Sequence, residues 1–188
     1  NMLRYLNKDV IVSKEYKDID RASKIILPGV GAFDSAMKRI NKTDGLLDSL
    51  NNKALIEKVP FLGICLGMQL ITNRSEEGEK RGLGWIDAVA KKFPNDNNFK
   101  VPHMGWNEAM SSNNNLLINN KLDYHKYYFV HSFYVKVKNS EHSIMKTQYS
   151  CEFDSAIAKE NIFGVQFHPE KSRNQGLKLL NNFLNYQE

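Results

Sequence analysis

A cysteine between two glycines is the feature that most limits how this chain can fold. The run Gly63-Ile64-Cys65-Leu66-Gly67 follows an apolar stretch that begins at Val59 and precedes a stretch with helical spacing. The pattern predicts a strand, a tight turn and a helix, in which residues without a Cβ atom let strand and helix approach while the thiol projects outward. This spacing is that of a nucleophile elbow with cysteine in place of serine.

The apolar runs on either side of this turn predict an α/β fold. Two short β-branched runs, at 8–13 and 22–27, are followed by stretches with helical spacing at 32–40 and 46–58. Strands that alternate with helices favour a mostly parallel central sheet flanked by helices. The second half predicts additional mixed or antiparallel strands and a closing helix, at 85–89, 127–130, 143–147, 155–158, 162–167 and 176–186.

Length and composition bound the function classes. A chain of 188 residues suits one domain over 1–188, and it has no apolar run of the ~20 residues that would span a bilayer. The net charge of +5 is scattered among acids without a basic stripe, which argues against nucleic acid. Two cysteines cannot build a disulfide framework, so we expect a cytoplasmic protein. No motif calls for a metal or another cofactor.

A second motif lies about a hundred residues downstream of the cysteine. A lone cysteine in such a turn is more often a small buried hydrophobe than a nucleophile. However, an apolar run ends in His168-Pro169-Glu170, and the two polar side chains, two positions apart on an extended segment, point to the same side. A thiol nucleophile needs a base, and the base needs a third group that orients it. Cys65, His168 and Glu170 are therefore the candidate catalytic residues.

Four motifs resemble those of a known family. Gly-Ile-Cys-Leu-Gly-Met-Gln at 63–69 and Gln-Phe-His-Pro-Glu-Lys-Ser at 166–172 are similar to the two signatures of class I glutamine amidotransferases. Leu-Pro-Gly-Val-Gly-Ala-Phe at 27–33 and Val-Pro-His-Met-Gly-Trp-Asn at 101–107 narrow the resemblance to the glutaminase subunit of imidazole glycerol phosphate synthase. The motifs occur in family order over nearly the whole chain. The resemblance implies a flavodoxin-like fold.

The resemblance also implies roles for individual residues. Cys65 would attack the glutamine carboxamide to form a thioester, while His168 shuttles protons and Glu170 orients His168. The backbone N–H groups of Leu66 and, after a flip of the segment 28–31, Val30 would form the oxyanion hole. The substrate would be held by Gly31, Gln69, Glu77 and the main chain of His131, Ser132 and Phe133. For Glu77 the alternative is an ordinary solvated charge run.

The resemblance further implies a partner. Ammonia would pass to a TIM-barrel cyclase, in a heterodimer that makes imidazole glycerol phosphate and AICAR in histidine biosynthesis. This chain is too short to contain that barrel. Four residues match family positions that face the barrel, namely Met104, Trp106, Tyr128 and Lys171. Ordinary core packing is the alternative for Met104 and Trp106.

Two other functions stay open at this stage. One is a glutaminase that serves a sugar amidotransferase in surface-polysaccharide biosynthesis, since such proteins can share all four motifs. The other is a catalytically idle binding domain that keeps the fold, against which the intact Cys65, His168 and Glu170 argue. The family opens with a hydrophobic strand and a Gly-containing turn, and we expect this first strand to be missing from the numbered chain.

Overall fold

A computed structural model describes residues 2–6, 8–95, 97–112, 115–118 and 125–186. Its helices are α1 (Met2–Tyr5), α2 (Tyr16–Arg21), α3 (Phe33–Lys42), α4 (Leu46–Asn51, continued by a π-helical stretch Asn52–Ile56), α5 (Leu66–Leu70) and α6 (Arg173–Asn185). Its strands are β1 (Ile25–Gly29), β2 (Phe61–Cys65), β3 (Arg74–Ser75), β4 (Ala88–Lys92), β5 (His103–Ser111), β6 (His125–His131), β7 (Phe133–Val137), β8 (Ser143–Gln148), β9 (Glu152–Lys159) and β10 (Ile162–Val165).

One sheet carries these strands. Its main path runs β1-β2-β10-β9-β7-β4-β3, and β8, β5 and β6 branch from β9. β2 lies between β1 and β10 and is parallel to both, whereas β9 is antiparallel to β10, β7 and β8. The predicted fold class is confirmed: an α/β fold with a parallel centre, flanking helices and added antiparallel strands.

Two clusters of buried apolar side chains lie on the two faces of the sheet. Neighbouring residues in a strand alternate between them, as Phe61 and Leu62 do in β2 and Ile162 and Phe163 do in β10. The buried face of helix α3 packs in the cluster that contains Phe61 and Ile162. Phe183 of α6 packs in the cluster that contains Leu62 and Phe163. No helix in the described part of the chain is long and apolar enough to cross a membrane.

The prediction of a strand at 8–13 is wrong. The run has no regular structure, and Ile11 and Val12 are 77% and 94% exposed. A strand is stabilised by backbone hydrogen bonds to a neighbour, and none of the described strands pairs with this run. The strand expected at 85–89 instead begins at Ala88, because Trp85 and Ile86 are buried in the core as a turn.

Three strands escaped the sequence pattern: β3, which has only two residues, β5 and β7. β5 alternates burial along its length, but polar and glycine residues occupy several of its inward positions, so its hydrophobic period is hidden. β7 follows β6 after Ser132 alone, so the pattern predicted one strand ending at Val130 where the chain forms two. β5 pairs with β6, whose Val130 carbonyl lies beside the Cys65 sulfur, and β7 begins at Phe133, which follows β6 directly after Ser132.

Glycine is required on both sides of Cys65 because strand and helix are in very close contact. A Cβ atom on Gly67 would lie 1.8 Å from the Leu27 carbonyl oxygen, and one on Gly63 would lie 2.6 Å from the Gly67 backbone. Both obstacles are main chain, which cannot rotate away as a side chain can. The turn therefore fixes β1, β2 and α5 against one another.

We predict that Gly67→Ala lowers the free energy of unfolding by about 3 kcal/mol, because the new methyl group forces β1 and α5 apart. Chemical denaturation followed by circular dichroism measures the change. Ser35→Ala, at an exposed position of α3, is the control and stays within about 0.5 kcal/mol of the wild type. A Gly67→Ala protein as stable as that control would contradict the crowding at this turn.

Candidate active site

The backbone of Cys65 is held in a conformation that few residues adopt. Its φ of 54° and ψ of −109° lie outside the common regions for a residue with a Cβ atom. Pairing of β2 with β1 and β10 on one side, and the start of α5 on the other, hold this conformation in place. The thiol is thereby turned out of the sheet at the carboxyl end of β2.

Two groups contact the Cys65 sulfur. The Gln166 side-chain amide donates to Sγ over 3.7 Å, and Sγ lies 3.9 Å from the Val130 carbonyl oxygen. Gln166 is fully buried, and sequence reasoning did not single it out. The expectation of an extended segment from His168 to Glu170 is wrong: Pro169–Lys171 form a 3-10 turn, and this turn brings the Glu170 carboxylate to the imidazole. The available signal for Gln166 was its position just after β10, two residues before His168.

The backbone around His168 is fixed by neighbours on β6. The His168 N–H donates to the Tyr128 carbonyl over 2.9 Å, and the Ser172 hydroxyl donates to the His168 carbonyl over 2.6 Å. The Tyr128 N–H in turn donates to the Ser172 hydroxyl over 3.0 Å. These bonds hold the segment after β10 against β6, so the imidazole is placed by main chain from two elements.

The His168 ring lies between Glu170 and the thiol. Nδ1 is 2.7 Å from Glu170 Oε1, which directs Nε2 toward the cavity. Nε2 is buried and has no hydrogen-bond partner among the described residues, although Cys65 is close enough to affect the charge of the ring. This is the arrangement of a base that is oriented on one nitrogen and has the other free to exchange a proton with sulfur or substrate.

Electrostatics favour a positive charge on His168. Interaction with Cys65, followed by the hydrogen bond to Glu170, raises the pKa of His168 to about 9 and outweighs burial. Burial alone would raise the pKa of Glu170, but its bond to His168 and the positive charges of His168 and Lys171 outweigh burial, and the net pKa is lowered. An imidazolium at neutral pH stabilises a nearby thiolate.

A cavity of about 370 Å³ opens beside the thiol, a size that suits a small ligand. The structure brings together around it every residue that the sequence assigned to the oxyanion hole and to substrate binding. Its lining consists of Val30, Gly31, Cys65, Leu66, Gln69, Glu77, Pro102, Val130, His131, Ser132, Phe133 and His168. Glu170 lies behind His168 and does not reach the cavity.

The loop between β1 and α3 forms one rim of the cavity. Val30 at its tip is 76% exposed, and Gly31 has a φ of +96° with no atom within 4 Å of where its Cβ would be. A glycine at positive φ and an exposed tip leave this loop few contacts to hold one conformation. Leu66 on the opposite rim is buried at the first position of α5.

Glu77 has a partner besides any substrate. Its Oε2 accepts the Phe33 backbone N–H over 2.8 Å, at the first residue of α3. The side chain therefore fixes the end of the rim loop, and Glu77 also lines the cavity. An ordinary solvated charge would make neither contact.

The four residues expected to face a partner form one surface patch, in which Tyr128 is half-buried and the other three are exposed. Met104 and Trp106 on β5 are 61% and 46% exposed, so the alternative of core packing is wrong for both. The Trp106 and Tyr128 rings meet edge to face at 6.1 Å, and Lys171 lies 5.6 Å from the Tyr128 ring. Sequence reasoning missed Arg173, whose guanidinium lies 5.4 Å from the Trp106 ring.

Solved structures with a similar fold support the assignment of the architecture. A crystal structure of a glutamine amidotransferase superposes with a TM-score of 0.72 at 14% identity, over 97% of this chain and 88% of the other. The structure of PurLQS from Thermotoga maritima gives a TM-score of 0.61 at 16% identity, over 87% of this chain and 80% of the other. At these identities the likeness concerns the fold.

Sequence relatives are much closer. Imidazole glycerol phosphate synthase subunit HisH 2 of Methanococcus maripaludis is 50% identical over 98% of this chain and 91% of its own length. The protein of the same name from Pseudomonas aeruginosa is 41% identical over the same shares, and subunit HisH of Leptospira borgpetersenii is 40% identical over 97% and 91%.

The family description glutamine amidotransferase class-I matches residues 2–186, which is nearly the whole chain. The match includes the elbow cysteine, the histidine and glutamate after β10, and all the residues that line the cavity. The geometry and the relatives lead to the same conclusion: this chain belongs to the class I glutamine amidotransferases and is similar throughout to the HisH subunits of imidazole glycerol phosphate synthase.

Proposed function

We propose that this chain is the glutaminase subunit of an imidazole glycerol phosphate synthase. It hydrolyses glutamine to glutamate and ammonia and passes the ammonia to a cyclase that makes imidazole glycerol phosphate and AICAR in histidine biosynthesis. The observation that carries the proposal is the meeting of Cys65 and a Glu170-bound His168 at one cavity, in a chain 50% identical to a HisH subunit.

The first half of the reaction forms a thioester. The Cys65 thiolate attacks the side-chain carboxamide carbon of glutamine, and the carbonyl oxygen becomes an oxyanion. His168, which is protonated at neutral pH, gives its Nε2 proton to the departing nitrogen as the C–N bond breaks, so that ammonia leaves. Glu170 accepts the Nδ1–H throughout and keeps Nε2 directed at the reacting atoms.

The second half regenerates the thiol. Neutral His168 takes a proton from water as the water oxygen attacks the thioester carbon. The C–S bond then breaks, glutamate forms and the proton on His168 remains opposite the Cys65 thiolate. The Gln166 amide, 3.7 Å from Sγ, offers a hydrogen bond to the sulfur each time it carries negative charge.

The oxyanion requires backbone donors from the two rims. In this proposal the Leu66 N–H supplies one, and the Val30 N–H supplies the other after the 28–31 segment turns. Each donor in such a site lowers the barrier by ~3 kcal/mol. The few contacts around Val30 and Gly31 support a loop that changes conformation, so turnover rises when a partner favours the competent state.

The remaining cavity residues hold the amino-acid end of glutamine. Glu77 offers a carboxylate oxygen to the substrate ammonium, and the 131–133 main chain offers polar groups to the substrate carboxylate and ammonium. Gln69 is buried at the cavity wall and is held by the Phe133 carbonyl and the Gln166 side chain, each at 3.2 Å. Preorganised polar groups of this kind fix orientation in a small-ligand site.

A partner is required because ammonia in neutral water is mostly protonated and is then no nucleophile. The partner in this proposal is a TIM-barrel cyclase in a heterodimer with this chain, and it docks on the patch of Met104, Trp106, Tyr128 and Lys171. Exposed aromatic residues with neighbouring cations are typical of interaction hot spots. The patch lies on the opposite side of the β5–β6 pair from the cavity residue His131.

The proposal predicts that the chain, mixed with the cyclase, supports synthesis from glutamine with a kcat at least about 100-fold above its glutamine hydrolysis alone. The cyclase with ammonium salt in place of glutamine is the positive control, and Cys65→Ala removes only the glutamine-dependent activity. Stimulation by a sugar amidotransferase and not by the cyclase would reassign the acceptor. Failure of a glutamine-mimicking electrophile to label Cys65 in the complex would support an idle domain.

A second prediction concerns the His168–Glu170 pair and pH. Interaction with Cys65, and after it the hydrogen bond to Glu170, raises the pKa of His168 from 6.5 to about 9 in the folded chain. The stabilisation that the His168 charge provides is therefore complete below pH 6.5 and is lost as pH rises through 9, and Glu170 supplies part of it. Glu170→Gln should therefore lower the free energy of unfolding by about 0.5–1 kcal/mol at pH 6 and by almost nothing near pH 10. The value at pH 6 is small because the carboxylate is half-exposed and solvent screens its charge.

Denaturation at the two pH values measures this difference. Glu160→Gln is the matched control, since Glu160 pairs with Lys58 and with no histidine, and its effect should be nearly the same at both pH values. A Glu170→Gln effect that grows with pH would contradict the imidazolium assignment.

A third prediction concerns the docking patch. Trp106→Ala should weaken binding of the cyclase by about 30-fold, because it removes both the exposed indole and the support for Arg173. Isothermal titration calorimetry measures the Kd. Leu55→Ala is the control, because Leu55 is 45% exposed, close to the 46% of Trp106, but lies on the π-helical stretch. Equal Kd values for the two variants would exclude the patch as the docking surface.

A further inference from the structure

A pair of buried histidines beside the cavity has no role in the chemistry described so far. His103, in the 101–107 motif, and His131 face each other across β5 and β6 and are 3% and 6% exposed. His103 Nδ1 lies 2.9 Å from His131 Nε2, and His131 Nδ1 lies 2.8 Å from the Phe133 carbonyl oxygen. The Asn107 side-chain nitrogen lies 3.2 Å from His103 Nε2.

The hydrogen-bond partners determine where each proton lies. The Asn107 amide nitrogen also donates to the Gln148 carbonyl over 3.0 Å, while the Asn107 oxygen accepts the Glu108 N–H over 2.8 Å, which fixes the orientation of the amide. His103 Nε2 must therefore accept, so Nδ1 carries the hydrogen and donates to His131. His131 in turn donates from Nδ1 to Phe133.

Both rings are neutral in this arrangement. A second proton on His103 would face the Asn107 amide hydrogens, and a second proton on His131 would face the His103 N–H. Aromatic surroundings also disfavour a positive charge on His103 by excluding water, since the Phe129 and Tyr149 rings stack on it at 4.8 and 4.1 Å. Burial lowers the pKa of His103 to about 4 and that of His131 to about 3. The hydrogen bonds of this relay, from His103 to His131 and from His131 to the Phe133 carbonyl, therefore run in one direction.

The relay continues to the nucleophile. The Phe133 carbonyl that accepts from His131 also accepts from Gln69 Nε2 over 3.2 Å. The second hydrogen of the same Gln69 nitrogen goes to Gln166 Oε1 at 3.2 Å, which leaves the Gln166 amide nitrogen directed at Cys65 Sγ, 3.7 Å away. An unbroken series of hydrogen bonds thus joins β5 to the sulfur.

We propose that His103 is a positioning residue for glutamine hydrolysis. Its Nδ1–H holds the His131 ring, the ring holds the Phe133 carbonyl, and the carbonyl fixes Gln69 and Gln166 so that an amide N–H meets the charged sulfur. The inference rests on the proposed function, because it concerns the reaction at Cys65. Met104 and Trp106 are neighbours of His103 in β5, so a partner seated on them contacts the strand in which the relay begins.

The test compares two substitutions at one position. His103→Phe keeps an aromatic ring between Phe129 and Tyr149 but removes the Nδ1–H that donates to His131. His103→Asn places an amide N–H near the former position of Nδ1. In the complex with the cyclase, His103→Phe should lower the glutamine-dependent kcat about tenfold, with KM within about threefold, and His103→Asn should recover to within about threefold of the wild type. Alkylation of Cys65 by a glutamine-mimicking electrophile, measured on the chain alone, should be slowest in His103→Phe and close to the wild-type rate in His103→Asn.

Two controls separate positioning from folding. Ammonia-dependent turnover of the same complexes should be unchanged, because it bypasses Cys65. Tyr149→Phe keeps the ring that stacks on His103 and removes only a hydrogen bond to the Lys100 carbonyl, so it should react like the wild type. A wild-type complex that turns over ammonia but not glutamine would count against the proposed function itself.

Other results would overturn the role of His103. One is glutamine turnover by His103→Phe within about twofold of the wild type, and another is a His103→Asn variant as slow as His103→Phe. A third is a rise in KM with an unchanged kcat. Nitrogen-15 NMR of the unmodified chain at pH 7 gives a check that needs no variant. Both rings should carry hydrogen on Nδ1 and not on Nε2, and an Nε2–H signal from either ring would exclude the relay.

Discussion

The active site depends on one backbone conformation, that of Cys65. Its positive φ is held by parallel pairing of β2 on both edges and by contact of Gly67 with the β1 main chain. The same contact sets the start of α5, and with it the positions of Leu66 and Gln69. If the turn relaxed, the thiol would move toward the sheet and the cavity would lose one wall. The tight packing of the core therefore acts directly on the chemistry.

Strand β6 connects Cys65, His168 and the exposed patch. Its Tyr128 carbonyl accepts the His168 N–H, its Val130 carbonyl lies beside the Cys65 sulfur, and its last residue begins the segment that lines the cavity. Register with β5 pairs Tyr128 with Trp106 and Val130 with Met104. A protein that contacts the exposed face of β5 therefore contacts the strand next to β6, whose main chain touches Cys65 and His168.

The sequence predicted those parts of the site that depend on local geometry. The elbow follows from glycine spacing. The contact of His168 with Glu170 was expected for the wrong reason, because Pro169–Lys171 form a 3-10 turn and not an extended segment. Gln166 and His103 were not predicted as site residues, because their roles arise from contacts between β10, α5, β5 and β6 that no local pattern contains. The wrong strand at 8–13 has the same origin, since pairing depends on a neighbour and not on the β-branched residues alone.

The neutral state of His103 and His131 has a consequence for the fate of the released nitrogen. Ammonia is useful to an acceptor only while it has no fourth proton, and His131 forms part of the wall where ammonia is produced. A ring whose pKa lies near 3 or 4 has already lost its ionisable proton at neutral pH and has none to give. Of the two histidines in the cavity lining, His168 is thus the one that carries an acidic proton, and in the proposed reaction it gives that proton up as ammonia forms. His131, kept neutral by burial and by the His103 N–H, therefore has no acidic proton to give to the product, so in the proposed reaction ammonia can stay a nucleophile beside it.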